Sequence, residues 1–248
     1  MSISISSIQH DVFQILKSSP DEFEQKSSLG VIDSQTPLAR MIDHTCLNPT
    51  ATKQDIEHAI TEAKRLQCYA VCLFAQHMPI ARELLAGSST IPICVIDFPE
   101  GTASTAEKCL QASKARAEGA MEIDMVLDRR LLLRNELKNL QDDVQAVVLA
   151  AQGAPVKVIL ECSELDPESI VRASTVCVLA QAHFVKTSTG TRKQGATIED
   201  VKLIRSSVGP QFGVKASGGI RTLEQAQSMI QAGANRIGTS SSQTILST

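Results

Sequence analysis

From about Leu38 to the end of the chain, short apolar or β-branched runs alternate with longer stretches of helical periodicity. A strand buried on both faces reads as a continuous apolar run, and an amphipathic helix that covers it reads with a 3.6-residue period, so this alternation predicts βα units and a parallel sheet. Eight runs predict strands: Arg40–Thr45, Ala70–Phe74, Ile93–Phe98, Glu122–Leu127, Val156–Glu161, His183–Thr187, Gly213–Ala216 and Arg236–Gly238. Helices are predicted over Lys53–Gln67, Ala103–Glu118, Leu132–Ala151, Pro167–Ala180, Ile198–Ser206 and Leu223–Ala232, with a shorter one around Pro79–Leu85. Thr52, Asp166 and Thr222 stand where N-capping residues are expected.

Equivalent strand positions recur every 23 to 35 residues or so, and a single α/β barrel is usually about 250 residues long. The fold class expected is therefore α/β, a (β/α)₈ TIM barrel over residues 38–248. An open doubly wound sheet competes, but it usually carries a G-x-G-x-x-G turn after its first strand, and none is present. Residues 1–37 are Ser-rich and polar apart from Ile8, Val12, Phe13, Ile15 and Leu16. That spacing predicts one short amphipathic helix followed by a linker, an N-terminal extension to the barrel.

Composition narrows the function. With 43% hydrophobic and 21% charged residues the chain can bury a sizeable core, and with no Trp and one Tyr that core is aliphatic. A net charge of −3, with no basic run interleaved with aromatics, argues against a nucleic-acid partner. No run of 18 apolar residues and no signal-peptide pattern occurs, so no membrane partner is expected. The seven cysteines are odd in number and form no C-x-x-C pair, which points to a reducing, cytoplasmic setting. Assembly is left open, with a homodimer allowed.

Active sites of α/β barrels lie at the C-terminal ends of the strands, and alternate side chains face the interior. Lys186 shares the interior face with Phe184 on the sixth strand, Lys215 with Gly213 on the seventh and Asp124 with Glu122 on the fourth. A buried ammonium is costly unless it is paired or loses its proton. A structural ion pair would explain one such lysine, but two on adjacent strands cannot neutralise one another, and perturbed groups tend to cluster at functional sites. A free lysine titrates near about 10.4, so on the order of one in a few thousand is a neutral amine at pH 7. A second ammonium about 6 Å away, at an effective dielectric of about 20, adds roughly 2.8 kcal/mol of repulsion, about 2 pK units. Partial desolvation must supply the rest of what an imine-forming lysine needs.

Glycines and hydroxyls gather at the same strand ends. Gly190 follows the sixth strand, Gly218 and Gly219 end the seventh, and the eighth closes as Gly238, Thr239, Ser240, Ser241. Barrel enzymes often bind phosphate in the loops after strands seven and eight through backbone N–H groups, so this set predicts a phosphate cradle rather than ordinary turns. The five histidines are scattered and none forms an i, i+4 pair, so no metal is expected and no cofactor is implied. His44 follows Asp43 near the top of the first strand and is a weak site candidate; His183 has outward parity and is expected to pack between barrel and helices. Cys72 has interior parity on the second strand and is expected to act as a small hydrophobe.

The string Phe184 to Gly190 (FVKTSTG) resembles the Schiff-base motif of deoxyribose-phosphate aldolases, and Gly213 to Arg221 (GVKASGGIR) is similar to their second lysine motif. IDHT at 42–45, EIDMV at 122–126, KVILE at 157–161 and RIGTSS at 236–241 follow in that family's order, so the resemblance covers about residues 38–242. It implies reversible cleavage of 2-deoxy-D-ribose 5-phosphate to acetaldehyde and D-glyceraldehyde 3-phosphate. By resemblance Lys186 is the imine lysine, Lys215 the cation that perturbs it and Asp124 part of the proton relay. Asp43, Thr187, Gly190, Gly218, Gly219, Gly238, Ser240 and Ser241 are the expected substrate and phosphate contacts. Asp97 stands where the family usually has Gly, the loop Thr191–Gln194 is more polar than expected, with Arg192 or Lys193 able to reach a phosphate, and the chain ends at Thr248 without the C-terminal Tyr of some relatives.

Two other readings compete: another imine-forming phosphosugar aldolase or transaldolase, and a non-catalytic phosphosugar-binding barrel. Schiff-base chemistry also predicts metal independence. Turnover is expected to be unchanged after chelation and dialysis; loss of activity on chelation with recovery on adding zinc would overturn that expectation.

Overall fold

In a computed structural model, which describes residues 4–27, 36–192 and 194–247, eight parallel strands close into a barrel in sequence order. They are β1 (Ile42–Thr45), β2 (Ala70–Leu73), β3 (Ile91–Ile96), β4 (Glu122–Val126), β5 (Val156–Ile159), β6 (Phe184–Lys186), β7 (Gly213–Ser217) and β8 (Arg236–Thr239). β1 pairs with β8 to complete the ring.

Helix α1 (Ile5–Leu16) and α2 (Pro20–Ser27) precede the barrel. The main covering helices are α3 (Lys53–Arg65), α4 (Met78–Leu84), α5 (Thr105–Ala117), α7 (Leu137–Ala150), α8 (Pro167–Leu179), α9 (Ile198–Val208) and α10 (Leu223–Gln231). Short α6 (Arg129–Leu133) and α11 (Ser242–Leu246) complete the set. Thr52, Asp166 and Thr222 cap α3, α8 and α10 as expected, each side chain accepting a backbone N–H of the first turn. The single helix predicted over Leu132–Ala151 is two, because Asn135 adopts a left-handed conformation (φ 57°) that breaks it.

The N-terminal segment also differs from expectation, with two helices where one is predicted; part of the predicted linker, residues 28–35, lies outside the described residues. The apolar stripe of α1 buries Ile8, Val12, Phe13 and Leu16 while Ile15 stays 40% exposed. This stripe docks on the α7–α8–α9 face of the barrel, Phe13 meets Phe23 of α2, and Gln9 Nε2 donates to the Ser207 carbonyl at 2.8 Å.

Strand parity sorts the buried residues into two populations. Outward-facing Val71, Cys94, Ile123, Val158, Val185, Val214 and Ile237 join the helices in one continuous apolar layer. Inside the barrel, only β2 and β3 are apolar, with Ala70, Cys72, Ile93 and Val95 in a small separate cluster. The remaining strands point Asp43, Glu122, Asp124, Lys157, Lys186, Lys215 and Arg236 inward, each at most 7% exposed.

Gly213 opens β7 beside the Phe184 ring, and a Cβ there would overlap that ring and the His183 carbonyl. Gly213→Ala is therefore expected to destabilise the barrel by about 1–3 kcal/mol through overpacking, with a Tm lower by several degrees in thermal unfolding. An unchanged Tm would mean that the ring relaxes without cost.

Candidate active site

Four strands bring their interior charges to one point. Lys186 ends β6 in register with Lys215 of β7, and Asp124 of β4 is in register with Lys157 of β5. Asp124 Oδ2 accepts from Lys186 Nζ and from Lys215 Nζ, each at 2.9 Å, so the two ammonium nitrogens lie at most twice that distance apart. Asp124 Oδ1 accepts from Lys157 Nζ at 2.9 Å, and Lys157 also meets Glu122 Oε2 at 2.5 Å. Lys215 makes a second ion pair with Asp43 Oδ2 at 2.5 Å, and Asp43 Oδ1 accepts from Arg236 Nη1 at 2.9 Å.

Buried charges of both signs hold one another ionised. Burial alone would raise the Asp124 carboxyl, but Lys157, Lys186 and Lys215 together outweigh it and hold the group well below the usual carboxylate range. Asp43 is lowered in the same way, burial being overcome by Arg236, Lys215 and Lys157. Burial opposes the charge on Lys215, yet Asp124 and Asp43 keep its pKa above the ordinary lysine range. Lys157 is raised as well, Asp124 and Glu122 overcoming its burial. Lys215 is thus a firmly charged group, held by two carboxylates.

Above this cluster a cavity of about 380 Å³ opens at the C-terminal ends of the strands. Lys186 is at its base, and Gly190, Gly218, Gly219, Gly238 and Ser240 line it together with Thr45, Cys46, Asn48 and Arg221. Gly218 sits at φ 86° and packs so closely on Gly195 that a Cβ on either residue would collide with the other's backbone. Gly219, at φ 78°, faces open space. The loops after β6 and β7 thereby present bare backbone to the cavity, the arrangement suited to an anionic group.

A sequence model of the DeoC/LacD family aldolases matches residues 38–247. The chain belongs to the DeoC/LacD aldolase family. Among its relatives is a deoxyribose-phosphate aldolase of Bdellovibrio bacteriovorus, 47% identical over 209 residues, which are 84% of this chain and 95% of that one. One from Staphylococcus epidermidis is 46% identical over 202 residues, 82% of this chain and 92% of the relative. The tetrameric structure of deoxyribose phosphate aldolase from Aeropyrum pernix superposes with a TM-score of 0.79 at 32% identity, covering 92% of this chain and 97% of that one.

Within this DeoC/LacD aldolase, Lys186, Lys215 and Asp124 converge as their strand parity implies. The cradle glycines and Ser240 line the cavity, but three expected contacts do not. Asp43 lies fully buried beneath the cavity, committed to Lys215 and Arg236, where its charge would repel a phosphate. Thr187 turns away to donate to the Ser217 carbonyl at 3.3 Å, bracing β6 against β7. Ser241 precedes α11, and its N–H is taken by Thr239 Oγ1 at 2.9 Å. His44 also faces outward, 2.8 Å from Ser242 Oγ, and His183 accepts from the Val156 N–H at 3.2 Å on the barrel's outer side. Cys72 is fully buried in the apolar interior, and burial pushes its thiol up to about 11.

Arg192 does not reach into the cradle. It bridges the mouth of the barrel, pairing with Glu100 at 3.0 Å and Glu164 at 2.9 Å; Lys193 lies outside the described residues. Asp97 adopts φ 48°, the left-handed region that favours the Gly expected there, and its Oδ2 accepts from the Ala103 N–H at 3.0 Å. It borders a separate recess with Phe74 and Phe98.

Sequence reasoning missed Lys157 and Arg236. Lys157 stands inside the apolar run Val156–Ile159, the same signal that singled out Lys186, with the parity of Asp124's partner.

The cavity's position generates a labelling pattern. Of the seven free thiols only Cys46 and Cys109 are partly exposed, and Cys46 alone lines the cavity. Alkylation of the native protein at pH 8 is expected at those two, with saturating substrate slowing Cys46 and leaving Cys109 unaffected. Peptide mass mapping reads this directly; equal rates at Cys46 with and without substrate would place the bound substrate elsewhere.

Proposed function

We propose that this chain reversibly cleaves 2-deoxy-D-ribose 5-phosphate to acetaldehyde and D-glyceraldehyde 3-phosphate, with Lys186 as the imine-forming nucleophile. The observation that carries the reading is Asp124 Oδ2, which accepts from both Lys186 and Lys215 at 2.9 Å at the base of a cavity rimmed by glycine backbone. Relatives named deoxyribose-phosphate aldolase over most of their length support it.

The phosphate binds the backbone N–H groups around Gly190, Gly218 and Gly219 and the Ser240 hydroxyl, with Arg221 adding positive charge to the wall. This anchors the open-chain sugar with its aldehyde toward Lys186. The neutral Lys186 amine attacks C1, and the resulting carbinolamine loses water to give a protonated imine. The Asp124 carboxylate, beside the charged Lys215, takes the proton of the C3 hydroxyl, the C2–C3 bond breaks, and its electrons pass into the imine to form an enamine. D-Glyceraldehyde 3-phosphate departs. A proton returned to C2 and hydrolysis of the imine release acetaldehyde and restore Lys186. In each proton transfer Lys215 keeps its charge at rest, because two carboxylates hold it.

The family match begins at residue 38, which supports treating residues 1–37 as an extension to a barrel of 38–248. Seven free thiols suit a cytoplasmic location, and no helix among the described residues is long and apolar enough to cross a membrane. Because a relative's structure is described as tetrameric, self-association is part of the proposal, with a homodimer as its smallest unit.

Borohydride reduction during turnover of deoxyribose 5-phosphate is expected to fix the substrate-derived mass on Lys186, with acetaldehyde as the detected product of the unreduced reaction. An adduct confined to Lys215 would reverse the two lysine roles. Absence of acetaldehyde would favour another phosphosugar aldolase.

A further inference from the structure

Beneath the lysines lies a layer of charge that the aldol steps do not touch. Glu122, Phe184, Gly213 and Arg236 are the first residues of their strands, so they form the floor of the barrel. The Arg236 guanidinium lies over the Tyr69 ring, 3.5 Å from its centroid, and the Tyr69 hydroxyl donates to Glu122 Oε1 at 3.1 Å. Arg40 also lies over the Tyr69 ring, at 5.1 Å. From this floor Arg236 reaches Asp43, and Asp43 reaches Lys215; Glu122 reaches Lys157, and Lys157 reaches Asp124. Two ionic paths therefore rise from the floor and meet at Asp124.

The charges in this interior can be counted strand by strand. β1 contributes Asp43, β4 contributes Glu122 and Asp124, and β5 to β8 contribute Lys157, Lys186, Lys215 and Arg236. β2 adds only the Cys72 thiol, β3 is apolar, and Tyr69 precedes β2. On the strands four cations face three carboxylates; a further buried carboxylate, Glu161, lies past the end of β5 and accepts from Thr189 instead. Arg236 cannot shed its proton, while Lys157 and Lys215 each hold two carboxylate partners and Lys186 holds one. Release of a proton from Lys186, which its attack on a carbonyl requires, brings the cluster to balance.

We propose that Arg236 is a positioning residue for the reaction, its fixed charge supplying from the barrel floor the excess that Lys186 relieves when it becomes a nucleophile. Tyr69 and Glu122 hold Arg236 in place, and Asp43 links it to Lys215. The inference rests on the reading of Lys186 as the imine-forming amine.

The sign of the effect separates this role from a structural one. Arg236→Met removes the excess charge, so the rise of kcat/KM with pH should move upward by about one unit, the scale of a charge roughly 10 Å away at moderate dielectric. Glu122→Gln adds to the excess, so the same rise should move downward. Arg236→Lys keeps the charge and should leave the position of the rise where it is in the wild type, with KM changed less than kcat in all three. Circular dichroism selects the folded variants; if Arg236→Met does not fold, a downward shift in Glu122→Gln beside an unmoved rise in Arg236→Lys supports the proposal, and an unmoved or upward rise in Glu122→Gln overturns it. Profiles that superimpose on wild type with only a lower rate, or shifts of the same sign in Arg236→Met and Glu122→Gln, would overturn the proposal. Borohydride trapping in each variant keeps the two readings apart: an adduct on Lys186 with an unmoved profile removes the role of Arg236 alone, whereas no adduct on wild-type Lys186 removes the imine reading.

Discussion

One carboxylate organises the interior of this barrel. Asp124 accepts from three lysines on three different strands, and Lys186, which has no other carboxylate partner among the described residues, would be a costly isolated charge without it. Replacing buried ion pairs with well-packed apolar residues is often neutral or stabilising, so a cluster of seven buried charges is weak evidence for stability and better evidence for function. The cluster fixes where the ammonium groups lie to within hydrogen-bond geometry, which catalysis by an amine needs and packing alone does not provide.

That arrangement also revises a simple electrostatic picture. Two neighbouring lysines predict direct repulsion across about 6 Å, but a shared carboxylate oxygen stands between them. What acts on Lys186 is then the balance of the whole cluster, including groups on strands that carry none of the chemistry. At Asp43, Asp124, Lys157 and Lys215 the partners outweigh burial, so every one is pulled in its charged direction against its own desolvation.

The barrel was legible from sequence because strands buried on both faces leave long apolar runs, and the caps at Thr52, Asp166 and Thr222 punctuate the helices between them. Lys186 and Lys215 were legible because charge inside such a run is conspicuous. The N-terminal pair of helices and the break at Asn135 were not, since a left-handed residue outside Gly leaves little trace in composition. Asp43, Thr187 and Ser241 were misplaced for a common reason: parity and proximity along the chain say which strand end a residue occupies, but not whether a neighbouring cation or carbonyl has already claimed it. Lys157 and Arg236 needed the barrel's register before their partners could be named.

The division of the interior into a charged arc and an apolar arc has a practical side. β2 and β3 contribute only Ala70, Cys72, Ile93 and Val95, with Leu47, Phe74 and Phe98 packed against them. None of these residues carries a charge that another must answer, so their size can be varied one at a time, at Leu47 to reshape the cavity above Lys186 and at Phe74, Val95 and Phe98 to reshape the recess beside it. On β4 to β8 the opposite holds for the charged inward side chains, each of which is the counterion of another, and redesign there has to proceed by pairs. Protein engineers seeking new aldehyde acceptors thus inherit from this fold a wall that can be recut and a wall that should be left standing.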